Sequence, residues 1–171
     1  EEEEAWIIER QRICQAVLSS KDLIGVIGLQ QKHKALEAEI KAHEARIKKV
    51  IENGNLLIAQ KYPEEIDIRN RIKELQEQWD HVHELAAQKR KQLEDANEAF
   101  QYYTDANEAE SWIKEKMPLV KSEDYGKDET SAAALLLRHS RVESEIKAYE
   151  NDIKRLNDQS ECMIKSGLAS L

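Results

Sequence analysis

The stretch EEIDIRNRIKELQEQWDHVHELAAQKRKQLEDANEAFQYYTDANEAESWIKEKMPLV, residues 64–120, decides the fold, because it reads as one unbroken amphipathic helix. Its apolar residues recur at alternating steps of four and three, with Lys89 as the one interruption. This spacing places them in a single stripe, the seam by which helices pack in a coiled coil. The stripe comprises Ile68, Ile72, Leu75, Trp79, Val82, Ala86, Leu93, Ala96, Phe100 and Tyr103.

The same stretch carries no signal for a break between domains. It contains no glycine, and its first proline is Pro118, which predicts that the helix kinks or ends within a turn of that residue. At about 1.5 Å per residue, a helix of this length would be on the order of 85 Å long. A compact domain cannot contain such a rod, so the sequence predicts an elongated molecule.

Other helices are predicted before and after this one. The predicted bounds are 1–19, 22–60 and 63–97 for a first unit, and 98–121 and 128–167 for a second. Pro63 is expected in the first turn of the third helix, and Asp22 and Asp128 are candidate N-caps. Gly25, Gly28 and Gly54 should each weaken the second helix by about 1 kcal/mol relative to alanine, a cost that packing can offset.

Composition excludes several classes of protein. The chain has 26 basic and 34 acidic side chains, a net charge of −8, with no basic face, which argues against nucleic acid and anionic lipid as partners. No apolar run is long enough to span a membrane. Cys14 and Cys162 lack metal-ligand spacing and are expected to be reduced thiols in a cytosolic protein.

The beginning and the end of the chain are two copies of one pattern. An offset of 106 residues aligns Trp6 with Trp112, and the same offset holds without a gap over the following helix. Further pairs are Ile7 with Ile113, Asp22 with Asp128, Leu29 with Leu135, His33 with His139, Ile40 with Ile146 and Ile47 with Ile153. A period this long with three helical patterns predicts three-helix bundles repeated in tandem.

Particular stretches resemble the spectrin family. They are Asp105-Ala106-Asn107-Glu108-Ala109-Glu110-Ser111-Trp112-Ile113, Asp124-Tyr125-Gly126-Lys127-Asp128, Leu29-Gln30-Gln31-Lys32-His33 and Leu75-Gln76-Glu77-Gln78-Trp79. Their sequence resembles a spectrin α chain more than a β chain. The resemblance implies an all-α fold of tandem three-helix, left-handed coiled-coil bundles (spectrin repeats). The repeats would cover residues 1–97 and 98–171, joined by a continuous helix, with the third helix of the second repeat missing.

The residues singled out are structural rather than catalytic. The expected core anchors are Trp6, Trp79, Trp112, Leu29, Leu36, Ile40, Ile47, Leu75, Leu135, Ile146 and Ile153, and the expected linker between repeats contains Leu93, Ala96 and Phe100. The histidines His33, His43 and His139 fall on seams, while His81 and His83 point to different helix faces, so no metal site is predicted. No catalytic, cofactor or small-molecule site is predicted, and an enzyme is not expected.

The resemblance implies a structural function. The chain would be a segment of an actin-crosslinking rod in the cytoplasm, at the cell cortex beneath the plasma membrane, acting as a semi-flexible elastic spacer and scaffold. Its partners would be another spectrin chain in an antiparallel heterodimer, the actin network through other parts of the parent protein, and adaptor proteins. One alternative is a docking module, in which one repeat surface binds an adaptor or a membrane-protein tail. Another is a self-assembling coiled coil, in which another chain supplies the missing helix.

Overall fold

The computed structural model describes residues 1–168, and in them the chain forms helices and no strand. The helices are α1 (Glu2–Gln15), α2 (Leu23–Ala59), α3 (Glu65–Lys121) and α4 (Glu129–Lys165). The chain divides into two compact units, Glu1–Asn97 (unit 1) and Glu98–Leu171 (unit 2). Helix α3 runs without a break through residues 97 and 98, and it ends three residues after Pro118. The predicted all-α fold class is confirmed.

Two predicted helix bounds were wrong for local backbone reasons. Helix α1 ends at Gln15 rather than near residue 19, because Ala16 takes an extended conformation with ψ of 138°. Pro63 lies before α3 rather than inside its first turn. Lys61 is left-handed, with φ of 54°, and the carbonyl of Tyr62 accepts the Glu65 N–H at 3.2 Å, so a separate turn precedes the helix.

The core of unit 1 is built by all three of its helices. Its buried side chains are Ile7 and Cys14 from α1, Leu36, Ile40 and Ile47 from α2, and Leu75, Val82 and Ala86 from α3. Trp6, Ile51, Trp79 and Leu85 pack against this cluster and are partly buried. Each fully buried aliphatic side chain contributes roughly 1.5–3 kcal/mol, so this shared core holds the unit together.

Unit 2 has two helices in the described residues, the second half of α3 and α4, and fewer of its apolar side chains are buried. Ala99, Ala109, Val142, Leu156 and Met163 are buried, whereas Ile113, Met117, Leu136, Leu137, Ile146 and Ile164 are exposed. Two helices cover only part of each other's apolar stripe. The expectation that Ile146 is a core anchor is therefore wrong here, since 42% of its surface is exposed.

The turn before α2 and the turn before α4 each end in an aspartate that caps the following helix, but only the cap of α4 is a full capping box. The Asp22 carboxylate accepts the Gly25 N–H at 2.7 Å. The Asp128 carboxylate accepts the Ser131 N–H at 2.7 Å, and the Ser131 hydroxyl oxygen accepts the Asp128 N–H at 3.1 Å, which completes a capping box. Gly25 has no side chain that could accept the Asp22 N–H, so α2 has the aspartate cap without the capping box.

Glycines of α2 offer a matched test of how tightly unit 1 is packed. A Cβ at Gly28 would meet no atom within 4 Å, whereas a Cβ at Gly54 would lie 2.8 Å from Ile72 Cδ1. We expect Gly28→Ala to stabilise unit 1 by roughly 0.5–1 kcal/mol, since alanine restricts the unfolded chain. Gly54→Ala should gain less, because Ile72 must move. Urea unfolding of both variants checks this, and equal gains would contradict the packing seen at Gly54.

The capping box of α4 predicts a dependence on pH. The Ser131 backbone N–H, and then its side chain, hold the pKa of Asp128 below the ordinary value of an aspartate. Because the folded pKa is depressed, this stabilisation is present above the unfolded pKa and is lost as the pH falls through the folded value. We expect the hydrogen-exchange protection factor of the Ser131 amide to fall below about pH 4.

Asp128→Asn is the matched control for that experiment, because asparagine caps helices well and does not titrate in this range. Its protection factor at the Ser131 amide should stay constant between about pH 5 and pH 3, while Asp128→Ala should lack protection throughout. Equal acid loss in the wild type and in Asp128→Asn would show that another group is responsible.

Candidate functional site: the tryptophan stacks and the segment around Ala96

A stack of aromatic rings joins α1 to α2 in unit 1. The Trp6 ring lies parallel to the His43 imidazole, with centroids 3.8 Å apart and an interplanar angle of 5°. The Arg10 guanidinium lies over the Trp6 ring, 4.6 Å from its centroid, which is a cation–π contact. These contacts tie α1 to α2 at this point of the seam, because the stacked rings and the guanidinium come from facing side chains of defined geometry.

Glu3 is a buried carboxylate that belongs to this stack. Only 8% of its surface is exposed. It accepts a hydrogen bond from His43 Nε2 and forms an ion pair with Arg46, whose Nε lies 2.5 Å from its Oε1. A buried carboxylate is tolerated when it is paired in this way. Glu3 therefore ties the N-terminal turn of α1 to the side chain that stacks on Trp6.

Helix α3 reaches the same cluster through Trp79. The Trp79 ring centroid lies 6.5 Å from that of His43, and the His83 ring meets Trp79 edge-on at 4.8 Å. His43 thus contacts aromatic rings from two other helices. His43, which the sequence places on a seam, therefore lies between Trp6 of α1 and Trp79 of α3.

Unit 2 repeats the stack with different residues at the same offset of 106. Trp112 stacks on Tyr149, with centroids 4.1 Å apart and an interplanar angle of 11°. The Lys116 ammonium lies 5.4 Å from the Trp112 centroid and pairs with Glu145. Arg10 in unit 1 pairs with Glu39 in the same way, at 3.3 Å. The equivalent pairs are Trp6 with Trp112, His43 with Tyr149, Arg10 with Lys116 and Glu39 with Glu145.

The other sequence-predicted anchors differ in burial. Leu36, Ile40, Ile47 and Leu75 are buried, and Trp6, Trp79, Trp112, Leu29, Leu135 and Ile153 are half-buried. Sequence reasoning missed Glu3, Arg10, Glu39 and Lys116. The signal was available for three of these, since the offset that aligns the tryptophans also aligns Arg10 with Lys116 and Glu39 with Glu145.

The expected linker residues lie inside α3. Leu93 and Ala96 are buried, with 2% and 8% of their surfaces exposed, and Phe100 is half-buried. Polar contacts surround the first two: Asn97 Nδ2 donates to Gln30 Oε1 at 2.7 Å, and Gln30 Nε2 donates to the Leu93 carbonyl at 3.4 Å. Lys89, which interrupts the seam, donates to the Ala16 carbonyl at the end of α1.

The histidines outside the stack make local contacts. His33 is buried, and its Nε2 donates to the Ala86 carbonyl at 2.8 Å. His139, its equivalent in unit 2, is 3.4 Å from Glu143. Among residues 1–168, no three His, Cys, Asp or Glu side chains are grouped to hold a metal ion.

Cys14 lies in the core of unit 1, and Cys162 is exposed on α4. Both cysteines are free, and burial raises the pKa of the Cys14 thiol, partly opposed by Lys89.

In the described part of the chain, no helix combines the length and the apolar character needed to cross a membrane.

Comparison with known proteins gives the family. The family model described as "Spectrin repeat" matches residues 1–95 and again residues 97–170. "Spectrin alpha chain, erythrocytic 1" of Mus musculus is 37% identical over 161 residues, 94% of this chain and 7% of the relative. "Spectrin beta chain, erythrocytic" of Mus musculus is 35% identical over 161 residues, 94% of this chain and 8% of the relative.

A third relative gives the same result. "Spectrin beta chain" of Drosophila melanogaster is 36% identical over 162 residues, 95% of this chain and 7% of the relative. The chain thus spans a small fraction of the length of these relatives, and α and β chains match it at nearly equal identity. The resemblance inferred from the sequence is confirmed. With two matches that together cover almost all its residues, and with stacked tryptophans at the same offset in both units, this chain belongs to the spectrin-repeat family.

Proposed function

We propose that this chain is a structural segment of a spectrin-type rod, a semi-flexible elastic spacer and scaffold in an actin-crosslinking membrane skeleton. The observation that carries this proposal is α3, a helix of 57 residues that belongs to both units. A backbone that continues from one folded unit into the next transmits bending and unfolding between them. A chain of such units would resist extension without being rigid.

The surface of the helices supports a spacer role. Ion pairs between residues four apart recur along the exposed faces, including Lys48 with Glu44 at 2.8 Å and Arg69 with Glu65 at 2.7 Å. Such exposed pairs contribute little to stability, because water screens them, but they keep a long helical surface solvated. The proposal includes repeats at residues 1–97 and 98–171, the tryptophans as core anchors, and a structural role without catalysis.

The partners and the location follow from the family and belong to the same proposal. They are a second spectrin chain in an antiparallel heterodimer, actin through other parts of a longer parent, and a position in the cytoplasm at the cell cortex. The relatives that match are named as spectrin chains, which supports this choice.

The proposal requires that α3 couple the two units, and a proline at Ala96 tests this. Ala96→Pro removes one backbone hydrogen bond and clashes with the carbonyl four residues earlier, at a cost of about 3 kcal/mol or more. We expect the wild type to unfold in one thermal transition and the variant in two, because the break lies beside the boundary between the units. Calorimetry, with hydrogen exchange in α1 and α4 as separate reporters, measures this.

Ala87→Pro is the matched control. Ala87 is an exposed residue of the same helix inside unit 1, nine positions earlier, so it receives the same backbone lesion away from the boundary. Its single transition should move to lower temperature without splitting. Identical unfolding of the two variants, or of Ala96→Pro and the wild type, would show that α3 does not couple the units.

A further inference from the structure

One polar cluster of unit 1 differs from its counterpart in unit 2. Glu3 of α1, with 8% of its surface exposed, pairs with His43 and Arg46 of α2. At the offset of 106 residues the counterparts of these three residues are Ala109, Tyr149 and Asp152. Unit 2 thus has no acid at the place of Glu3, and it has an aspartate where unit 1 has an arginine.

Several other contacts between the first two helices are alike in the two units. Each unit stacks a tryptophan on a flat ring, and each pairs a cation of the first helix with a glutamate of the second. Seam residues also agree at the offset: the pairs are Ile7 with Ile113, Ile40 with Ile146, and Ile47 with Ile153. Helix α1 would therefore find a similar apolar stripe, ring and glutamate on α2 and on α4.

Glu3 is the residue that distinguishes these two surfaces. On α4 its carboxylate would lie beside the Tyr149 ring and near the Asp152 carboxylate, which stands in the place of Arg46. Asp152 is itself paired with Arg155, at 3.6 Å. A buried carboxylate without a cation of its own is strongly destabilised, because nothing offsets its lost hydration, and the second acid adds repulsion. Packing of α1 on α4 is thus disfavoured.

The opposite exchange is disfavoured less. The first helix of unit 2 has Ala109 in place of Glu3, so on α2 it would leave His43 without its acceptor. The Arg46 side chain is 61% exposed and would stay hydrated there. The selection is therefore one-sided: it excludes α1 from α4 more strongly than it excludes the first helix of unit 2 from α2.

We propose that Glu3, His43 and Arg46 restrict α1 to its own α2 and so prevent mispairing between equivalent helices of different repeats. Units that share one sequence pattern are prone to exchange helices, and misassembly of this kind is characteristic of repeat proteins. A buried charged group that is satisfied only in the correct pairing selects against the alternatives. This role goes beyond the proposed spacer function, because it concerns assembly of the units and not the transmission of force.

Four versions of the full chain measure the selection. They are the wild type, Glu3→Ala, His43→Tyr with Arg46→Asp, and all three substitutions together, which give unit 1 the residues of unit 2. The version that keeps Glu3 opposite the unit 2 residues should be the least stable. Adding Glu3→Ala to it should raise the folding equilibrium constant of unit 1 at least about tenfold, whereas Glu3→Ala alone should lower that constant.

Urea unfolding, with hydrogen exchange of the α1 amides, measures these constants. Glu4→Ala is the matched control, because Glu4 is the next residue of α1 and pairs with Arg71 of α3, at 3.3 Å. Its effect should be the same with either set of α2 residues. If Glu3→Ala also had the same effect with both sets, the proposal would be wrong.

Crosslinking with synthetic peptides tests selectivity rather than stability. Two peptides have the sequence of residues 1–16, one of them with Glu3→Ala, and both carry a photoreactive group in place of Glu2, an exposed residue 3.8 Å from Arg46. Each is added in excess to the full chain as it refolds from urea, and mass spectrometry locates the crosslinks. The ratio of crosslinks on α4 to those on α2 should be at least about tenfold higher for the Glu3→Ala peptide. Equal ratios, or crosslinking of neither peptide to α4, would overturn the proposal.

Discussion

The rest of the structure depends on one constraint: each helix carries a single apolar stripe, and that stripe leaves water fully only when two neighbouring helices cover it. Unit 1 meets this condition, so Ile7 and Val82 have no exposed surface and Ile47 has 1%. In the described residues unit 2 has two helices, and there Val142 is buried while Ile146 is 42% exposed. The same sequence pattern therefore produces different burial, because burial depends on how many helices share the seam.

The aromatic stack between Trp6 and His43 adds a contact of defined geometry to the apolar seam between α1 and α2. Stacked rings have a preferred separation and orientation, so the Trp6–His43 stack adds a geometric preference to the area that the seam buries. His43 and Tyr149 serve the same role at equivalent positions, which indicates that the flat ring matters more than its chemistry. The two residues differ in what they hydrogen-bond. His43 donates to the buried carboxylate of Glu3. In unit 2 the equivalent of Glu3 is the buried Ala109, which has no polar side chain and needs no hydrogen-bond donor.

The sequence was sufficient to predict the helices, the caps and the continuity of α3, because periodicity and capping are local properties. It was insufficient where the outcome depends on neighbours in space. Ile146 has the right spacing for a core position, but its burial depends on a third helix. The burial of Glu3 could not be inferred either, because its partners lie on α2, about 40 residues away in sequence. The early end of α1 follows from the backbone of Ala16, where no proline or glycine gives a signal.

The comparison of the two units also separates what the fold requires from what it allows. Residues that agree at the offset of 106, such as the tryptophans and the two capping aspartates, maintain the bundle. The turns between helices are held at their ends by those caps, so their side chains are free to differ. The second turn contains Gly126, whose φ of 84° and close approach to the Ala132 backbone leave no room for a side chain. The first turn has no glycine and presents the exposed Val17 instead, so the two turns differ in backbone conformation as well as in side chains.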